Sequence, residues 1–244
     1  MKKQNCGFSL LEIAIVLVIV GVLLGGMLIP LTAQMDQRNV SDTQKTLSDI
    51  KQALIGYAIV NGRLPCPASS TSNGTESFAF GGVAINGNCS NFYNGFVPAA
   101  TLGLTPVNSQ GYAIDAWGNR IHYAVTSANS YAFTKTGGII TGGLSALAPN
   151  LLVCSTATGI STSSCASGAA LTSSPGVPVV IYSTGKNGGG GGTSPDEAAN
   201  PNPNSADNDR VFVSHLTTAT FDDLVDWISP NILYNRMVQA GMLP

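Results

Sequence analysis

Charge is scarce in this sequence: Asp, Glu, Lys and Arg together make up 10% of its 244 residues, and the formal net charge is -2. Without a basic excess there is no electrostatic footprint for nucleic acid or an acidic membrane surface, so nucleic acid is not expected as a partner. Catalytic signatures are missing too. No Gly-x-Ser-x-Gly nucleophile turn occurs. The glycine run 188–192 has Lys186 before it and no Lys-Ser/Thr pair behind it, so the order required of a phosphate-binding loop is absent. The two histidines, His122 and His215, sit in segments that read as strands, with Asp115 and Asp222 nearby in sequence. A lone strand histidine is more often structural than catalytic, and an enzyme is not expected. There is also no Cys-x-x-Cys pair, which makes zinc the lesser use of the cysteines.

What the sequence does hold is concentrated at its start. Lys2 and Lys3 precede Gly7, Phe8, Ser9, Leu10, Leu11 and Glu12, after which residues 13–29 are all apolar or glycine. About 17 residues of helix cover roughly 26 Å, and Leu10 and Leu11 extend the run, enough for a bilayer core of roughly 30 Å. The flanking lysines should remain cytoplasmic and point the C-terminus outward. A secretory signal peptide, a plain anchor and a buried core helix compete for this segment. Glu12, near the start of the apolar run, argues against the first two, because a carboxylate in lipid costs a few kcal/mol and calls for a partner.

The string from Gly7 to Glu12 resembles the recognition site of the prepilin peptidase in type IV prepilins and type II secretion pseudopilins. The resemblance implies cleavage between Gly7 and Phe8, N-methylation of the new Phe8 amine, and retention of the apolar helix. It also implies that Glu12 of one subunit pairs with the Phe8 amine of its neighbour, an opposite charge being what a buried carboxylate requires. The expected organisation is a leader at 1–7, a transmembrane and assembly helix at 8–33, and a pilin-like head at 34–244. By the same resemblance the chain is a minor pilin or pseudopilin. It would sit in the bacterial inner membrane as a single-pass protein with a periplasmic head, then in a pilus or pseudopilus. Its partners would be the peptidase, other pilin or pseudopilin subunits and the inner-membrane assembly platform. The alternative is a tip binding module, an adhesin or DNA-capturing minor pilin.

Past the apolar run, Pro30 is expected to kink or interrupt the helix. Val40, Leu47, Ile50, Leu54 and Tyr57 then continue one apolar face until Gly62 stops it. The 28 glycines and 13 prolines point to a loop-rich head. Segments 121–125, 177–182 and 210–216 read as strands, which gives an α+β fold: a long N-terminal helix packed on a small antiparallel sheet with long loops. Residues 188–208 read as a flexible loop. Phe221, Leu224, Val225 and Ile228 fit a helical face or a strand over 224–228, and Ser229-Pro230 starts a helix that Gly241 ends.

Cys6 falls in the leader, which leaves Cys66, Cys89, Cys154 and Cys165 for an oxidising compartment. Four cysteines allow three connectivities; local pairing, Cys66 with Cys89 and Cys154 with Cys165, is the expectation. Asp115-Ala116-Trp117-Gly118-Asn119 followed by Tyr123, and later Tyr182-Ser183-Thr184-Gly185-Lys186-Asn187-Gly188, resemble two motifs of the major pseudopilin, with Ala116 in place of Pro and Asn187 in place of Asp. That family binds calcium in the loop after the second motif. The resemblance implies calcium at Asn204, Asp207 and Asp209, with Asn208 beside them, against the plain reading of a solvated loop.

Overall fold

The structure is a computed structural model that describes residues 9–188, 194–200 and 209–243, with the side chains of 24–33 and 144–146 outside that set. In chain order the elements are α1 (Leu10–Asn61), β1 (Gly95–Phe96), α2 (Ala99–Leu102), β2 (His122–Val125), α3 (Ala128–Tyr131), α4 (Gly138–Ala146), β3 (Leu152–Cys154), β4 (Val179–Ser183), α5 (Pro195–Ala198), β5 (Val211–Val213), β6 (Leu224–Ile228) and α6 (Pro230–Gln239). The fold is mixed helix and sheet, with a long N-terminal helix and a small antiparallel sheet. Contacts divide the chain into two compact units whose boundary, between Ser41 and Asp42, falls inside α1.

Helix α1 runs without a break through Pro30, so the expected interruption does not occur. Proline removes one backbone donor, and the helix carries on around that gap. Gly62 closes it in a left-handed conformation (φ 62°), its N–H bonded to the Ala58 carbonyl at 2.8 Å. The second half of α1 buries Thr43, Leu47, Ile50, Leu54, Ile55 and Ala58. Among the described residues no helix is long and apolar enough to cross a membrane. Positions 24–29, which complete the apolar run, lie outside the described side chains.

The main sheet has the order β1-β2-β4-β6, all antiparallel. Strand β4 sits centrally and is buried along its whole length, as a strand covered on both faces must be. Tyr123, Ile181 and Asp226 are in register across β2, β4 and β6 on one face. Lys51 of α1 reaches Asp226 at 2.7 and 2.9 Å, and the Tyr123 hydroxyl donates to the Pro65 carbonyl at 3.0 Å, so this is the face that α1 covers. The other face packs Ala124, Val180 and Tyr182 against Leu151, Val153, Val177 and Phe212. Val153 and Phe212 belong to a second, two-stranded parallel sheet, β3 with β5, which the sequence reading did not anticipate, and Leu151 and Val177 bridge to each other beside it. The result is three layers, helix, sheet and sheet, around two apolar seams.

Three further readings are resolved here. Residues 224–228 form a strand, and α6 starts at Pro230 with the Ser229 hydroxyl accepting from the Ile232 N–H. The segment expected to be a flexible loop contains a short helix, α5, capped by the Ser194 side chain. Pro195 at its first turn is where proline costs the helix nothing. Cys66 is bonded to Cys89 and Cys154 to Cys165. The first of these bonds ties the chain leaving α1 to a loop that Arg63 and Glu76 also hold, through a bidentate pair at 2.7 and 2.8 Å.

Candidate functional site

Two places gather functional side chains. The first is the start of α1. Residues 1–8, and with them Cys6 and the Gly7–Phe8 junction, lie outside the described residues. Immediately after them, Glu12 Oε2 accepts from the Ser9 N–H at 3.0 Å, while the Glu12 N–H donates to Ser9 Oγ at 3.2 Å. This reciprocal pair is a capping box, which satisfies two of the donors that a helix N-terminus leaves open. The Ser-x-x-Glu spacing of Ser9 and Glu12 is the sequence signal for it. The side chains that follow, Leu10 through Leu23, are exposed along the helix.

The second place is in the head, where the two motifs that resembled the major pseudopilin meet. Asp115, buried, turns its own chain: its Oδ1 accepts from the N–H groups of Trp117 (2.9 Å) and Asn119 (2.8 Å), an arrangement closed by Gly118 at φ 89°. Its Oδ2 accepts from the Ser183 hydroxyl at 2.6 Å, and Asn119 Nδ2 donates to the Gly185 carbonyl at 2.7 Å. The turn after β4 is thereby locked to the turn before β2. Asp222 holds the far side of it, its Oδ2 accepting from the N–H groups of Lys186 (2.7 Å) and Asn187 (3.0 Å).

Behind that turn lie three carboxylates. Glu197 from α5, Asp222 and Asp223 each place an oxygen so that all three lie within 4.8 Å of one another. Glu197 and Asp223 are buried. Asn187 donates its amide to Glu197, and Asn200, buried itself, donates to Asp223 Oδ2 at 2.7 Å while clasping the Val213 backbone. These amides soften the crowding but bring no positive charge. Burial pushes the Asp223 carboxyl up to about 7, opposed by the Asn200 hydrogen bond and reinforced by the charges of Glu197 and Asp222. Burial also raises Glu197. Among the described residues Asp222 Oδ1 and the Tyr182 hydroxyl are buried without a hydrogen-bond partner, and Tyr182 feels the Asp223 charge. The donor set is all hard oxygen, which suits calcium better than a softer metal.

The ligands expected from sequence are placed differently. Asn204, Asp207 and Asn208 lie outside the described residues. Asp209 Oδ1 accepts from the Val211 N–H at 3.1 Å and is not one of the three clustered carboxylates. Glu197, Asp222 and Asp223 went unrecognised because they come from segments 25 residues apart, and only Asp222 and Asp223 are adjacent in sequence. As for the histidines, His122 stacks on Tyr182 with ring centroids 4.6 Å apart, and burial lowers it to about 4. His215 lies just past β5 and stacks on Phe221 at 3.9 Å.

Neither the curated proteins nor the solved structures yield a match to this chain. The family model of the prokaryotic N-terminal methylation motif does match, over residues 2–28. This segment spans the two lysines, the Gly7–Phe8 junction, the Ser9–Glu12 capping box and most of the apolar run, and it carries the processing signal of type IV prepilins and pseudopilins.

Proposed function

We propose that the chain is a structural subunit, a minor pilin or pseudopilin, of a type IV pilus or a type II secretion pseudopilus, with no enzymatic role. The observation that carries this reading is the methylation motif over residues 2–28, with Glu12 five places into the chain that cleavage after Gly7 would release. In this reading prepilin peptidase removes residues 1–7 and the Phe8 amine is methylated. The helix from Phe8 onward holds the subunit in the inner membrane with its head in the periplasm until it joins other pilins. Glu12 then has two successive partners. Before assembly its carboxylate caps its own helix through Ser9; in the filament it faces the Phe8 amine of a neighbour, a full charge in place of an amide dipole.

Calcium belongs to this proposal as a structural ion of the head, held by Glu197, Asp222 and Asp223. Three carboxylates so close together, two of them buried, with an orphaned Asp222 Oδ1 beside them, support a divalent cation there. The ion would neutralise their mutual repulsion and fix the turn that follows β4.

Mass analysis of the N-terminus of membrane-extracted protein tests the central reading. N-methyl Phe8 is the expected first residue, and a first residue beyond Pro30 would overturn the proposal.

A further inference from the structure

We propose that the loop over residues 78–88, with Lys135 at its base, binds phospholipid, its apolar tip entering a bilayer and its lysine meeting lipid phosphate. The loop inverts the usual arrangement, in which polar side chains face out. Phe80 is fully exposed, and Val83 and Ile85 are more than half exposed, at 52% and 77%. Single exposed apolar side chains are ordinary, but three between positions 80 and 85 make a patch. The backbone that carries them is tightly built. Phe78 bridges to Cys89, whose disulfide to Cys66 anchors the base, and the Ala79 N–H donates to the Asn88 carbonyl at 3.0 Å. Gly82 and Gly87 stand where a Cβ would collide with backbone, 2.6 Å from Asn88 O and 2.5 Å from Lys135 N. The exposure of the three side chains is therefore fixed by the loop itself.

What covers the tip follows from where its polar groups go. A protein partner is met by a polar rim that hydrogen-bonds across the interface around an apolar centre. Here the polar groups turn inward. Asn86 Oδ1 accepts from the N–H groups of Val83 (3.0 Å) and Asn88 (3.3 Å), and the Val83 carbonyl accepts from those of Asn86 and Gly87, each at 3.0 Å. The Ala84 carbonyl accepts both the N–H and the hydroxyl of Thr136, at 2.8 and 3.0 Å. A segment that enters lipid has to satisfy its backbone from within, because the medium offers no partner. Charge supplies the second argument. Residues 77–114 contain no Asp, Glu, Lys or Arg, and over 121–185 Lys135 is the only one. Lys135 is exposed, makes no ion pair among the described residues, and has its backbone against Gly87 of the loop. An apolar tip with one cation at its base and no carboxylate in either stretch matches the layering of a phospholipid, acyl chain beneath phosphate. A lysine stem lies along apolar surface while its ammonium stays at the phosphate level. One lysine gives little preference for acidic lipid, so neutral phosphatidylcholine suffices.

The test uses the full chain carrying Phe80→Trp, reconstituted in phosphatidylcholine vesicles whose acyl chains are either plain or brominated. Contact of the loop with any bilayer in the suspension is then read as quenching. The unaltered chain, with Trp117 and Trp227, supplies the background to subtract. The added tryptophan is expected to emit to the blue and to be quenched in brominated lipid. Adding Val83→Ser and Ile85→Ser should lower the bound-to-free ratio of the loop about tenfold or more. In vesicles that include anionic lipid, Lys135→Gln should lower it about fivefold. If the serine variant does not fold, the comparison of plain with brominated lipid decides alone. A tryptophan that emits as in water and is not quenched would overturn the proposal, as would quenching that survives both serines. So would a blue shift without bromine quenching, an outcome that gives the loop to a protein surface or a second copy. Neither cleavage at Gly7 nor filament assembly enters the measurement, so its failure is separate from theirs.

Discussion

Single side chains carry most of what can be tested, and Glu12 is the sharpest case because the proposed function adds a second interaction to its capping of Ser9. Ser9→Ala removes the hydroxyl half of the capping box and leaves the carboxylate; the expected cost is about 1 kcal/mol at the helix start, with incorporation into sheared filaments retained. In the proposed filament, Glu12→Leu also removes the partner of a neighbour's Phe8 amine. Leaving one half of a buried ion pair unmatched costs roughly 3 to 5 kcal/mol, so this variant should be inserted and cleaved yet absent from filaments. Equal incorporation of both variants, with processing confirmed, would remove the pairing role from Glu12. Asp223 provides the pH prediction. Its folded pKa of about 7 lies above the ordinary value of 3.8. Its protonated form therefore stabilises the fold below the ordinary value, and that contribution is lost as pH rises through 7. In chelator, the melting temperature should fall as the pH is raised across this window. Asp223→Asn, which keeps an acceptor for Asn200, should flatten the fall, and added calcium should reverse it. A melting temperature that rises over the same window would contradict the burial argument.

At the level of elements, stability rests on a few terminations and staples. Helix α6 begins at Ser229, whose side chain accepts from Ile232 N–H, and the helix buries Leu233 and Met237. Ser229→Ala should lower stability by about 1 kcal/mol in a thermal melt, while Ser229→Asp should be close to neutral. The disulfides act on longer spans. Cys66–Cys89 closes a separation of 23 residues and Cys154–Cys165 one of 11. Thiol titration under denaturing, non-reducing conditions should find no free thiol among these four cysteines, and two or more per chain would contradict the bonding described. Replacing both Cys66 and Cys89 with alanine should cost roughly 3 kcal/mol, since loop closure then falls on folding itself.

Taken whole, the molecule has an exposed apolar helix start and a head that buries its central strand on both faces. Among the described residues the side chains of Leu10 through Leu23 are exposed, whereas β4 has none of its side chains exposed. That contrast agrees with a subunit whose head folds by itself and whose helix is completed by assembly. The corresponding expectation is that loss of the peptidase leaves a folded, disulfide-bonded head on an uncleaved precursor. Non-reducing gel mobility and N-terminal mass measured on the same sample would check it.

Local pattern alone determined much of this protein. Gly7 to Glu12 announce processing because the peptidase reads a short contiguous string, and the apolar run after it needs no tertiary context to be recognised. Strands 121–125 and 177–182 were legible within two residues, since β-branched and aromatic residues between turn formers suit a pleated, buried surface. Ser229-Pro230 and Gly241 marked α6 because capping is a matter of neighbouring residues. What depends on distant residues was not legible. The parallel pairing of β3 with β5 joins residues about 59 apart with no local signature. Residues 224–228 were ambiguous by periodicity, and the register with β4 made them a strand. The cluster of Glu197, Asp222 and Asp223 exists only because the locked turns after β4 bring α5 against the start of β6. A carboxylate's neighbours along the chain say little about the charges it will meet, and burial, which sets how strongly it feels them, is decided by the tertiary fold.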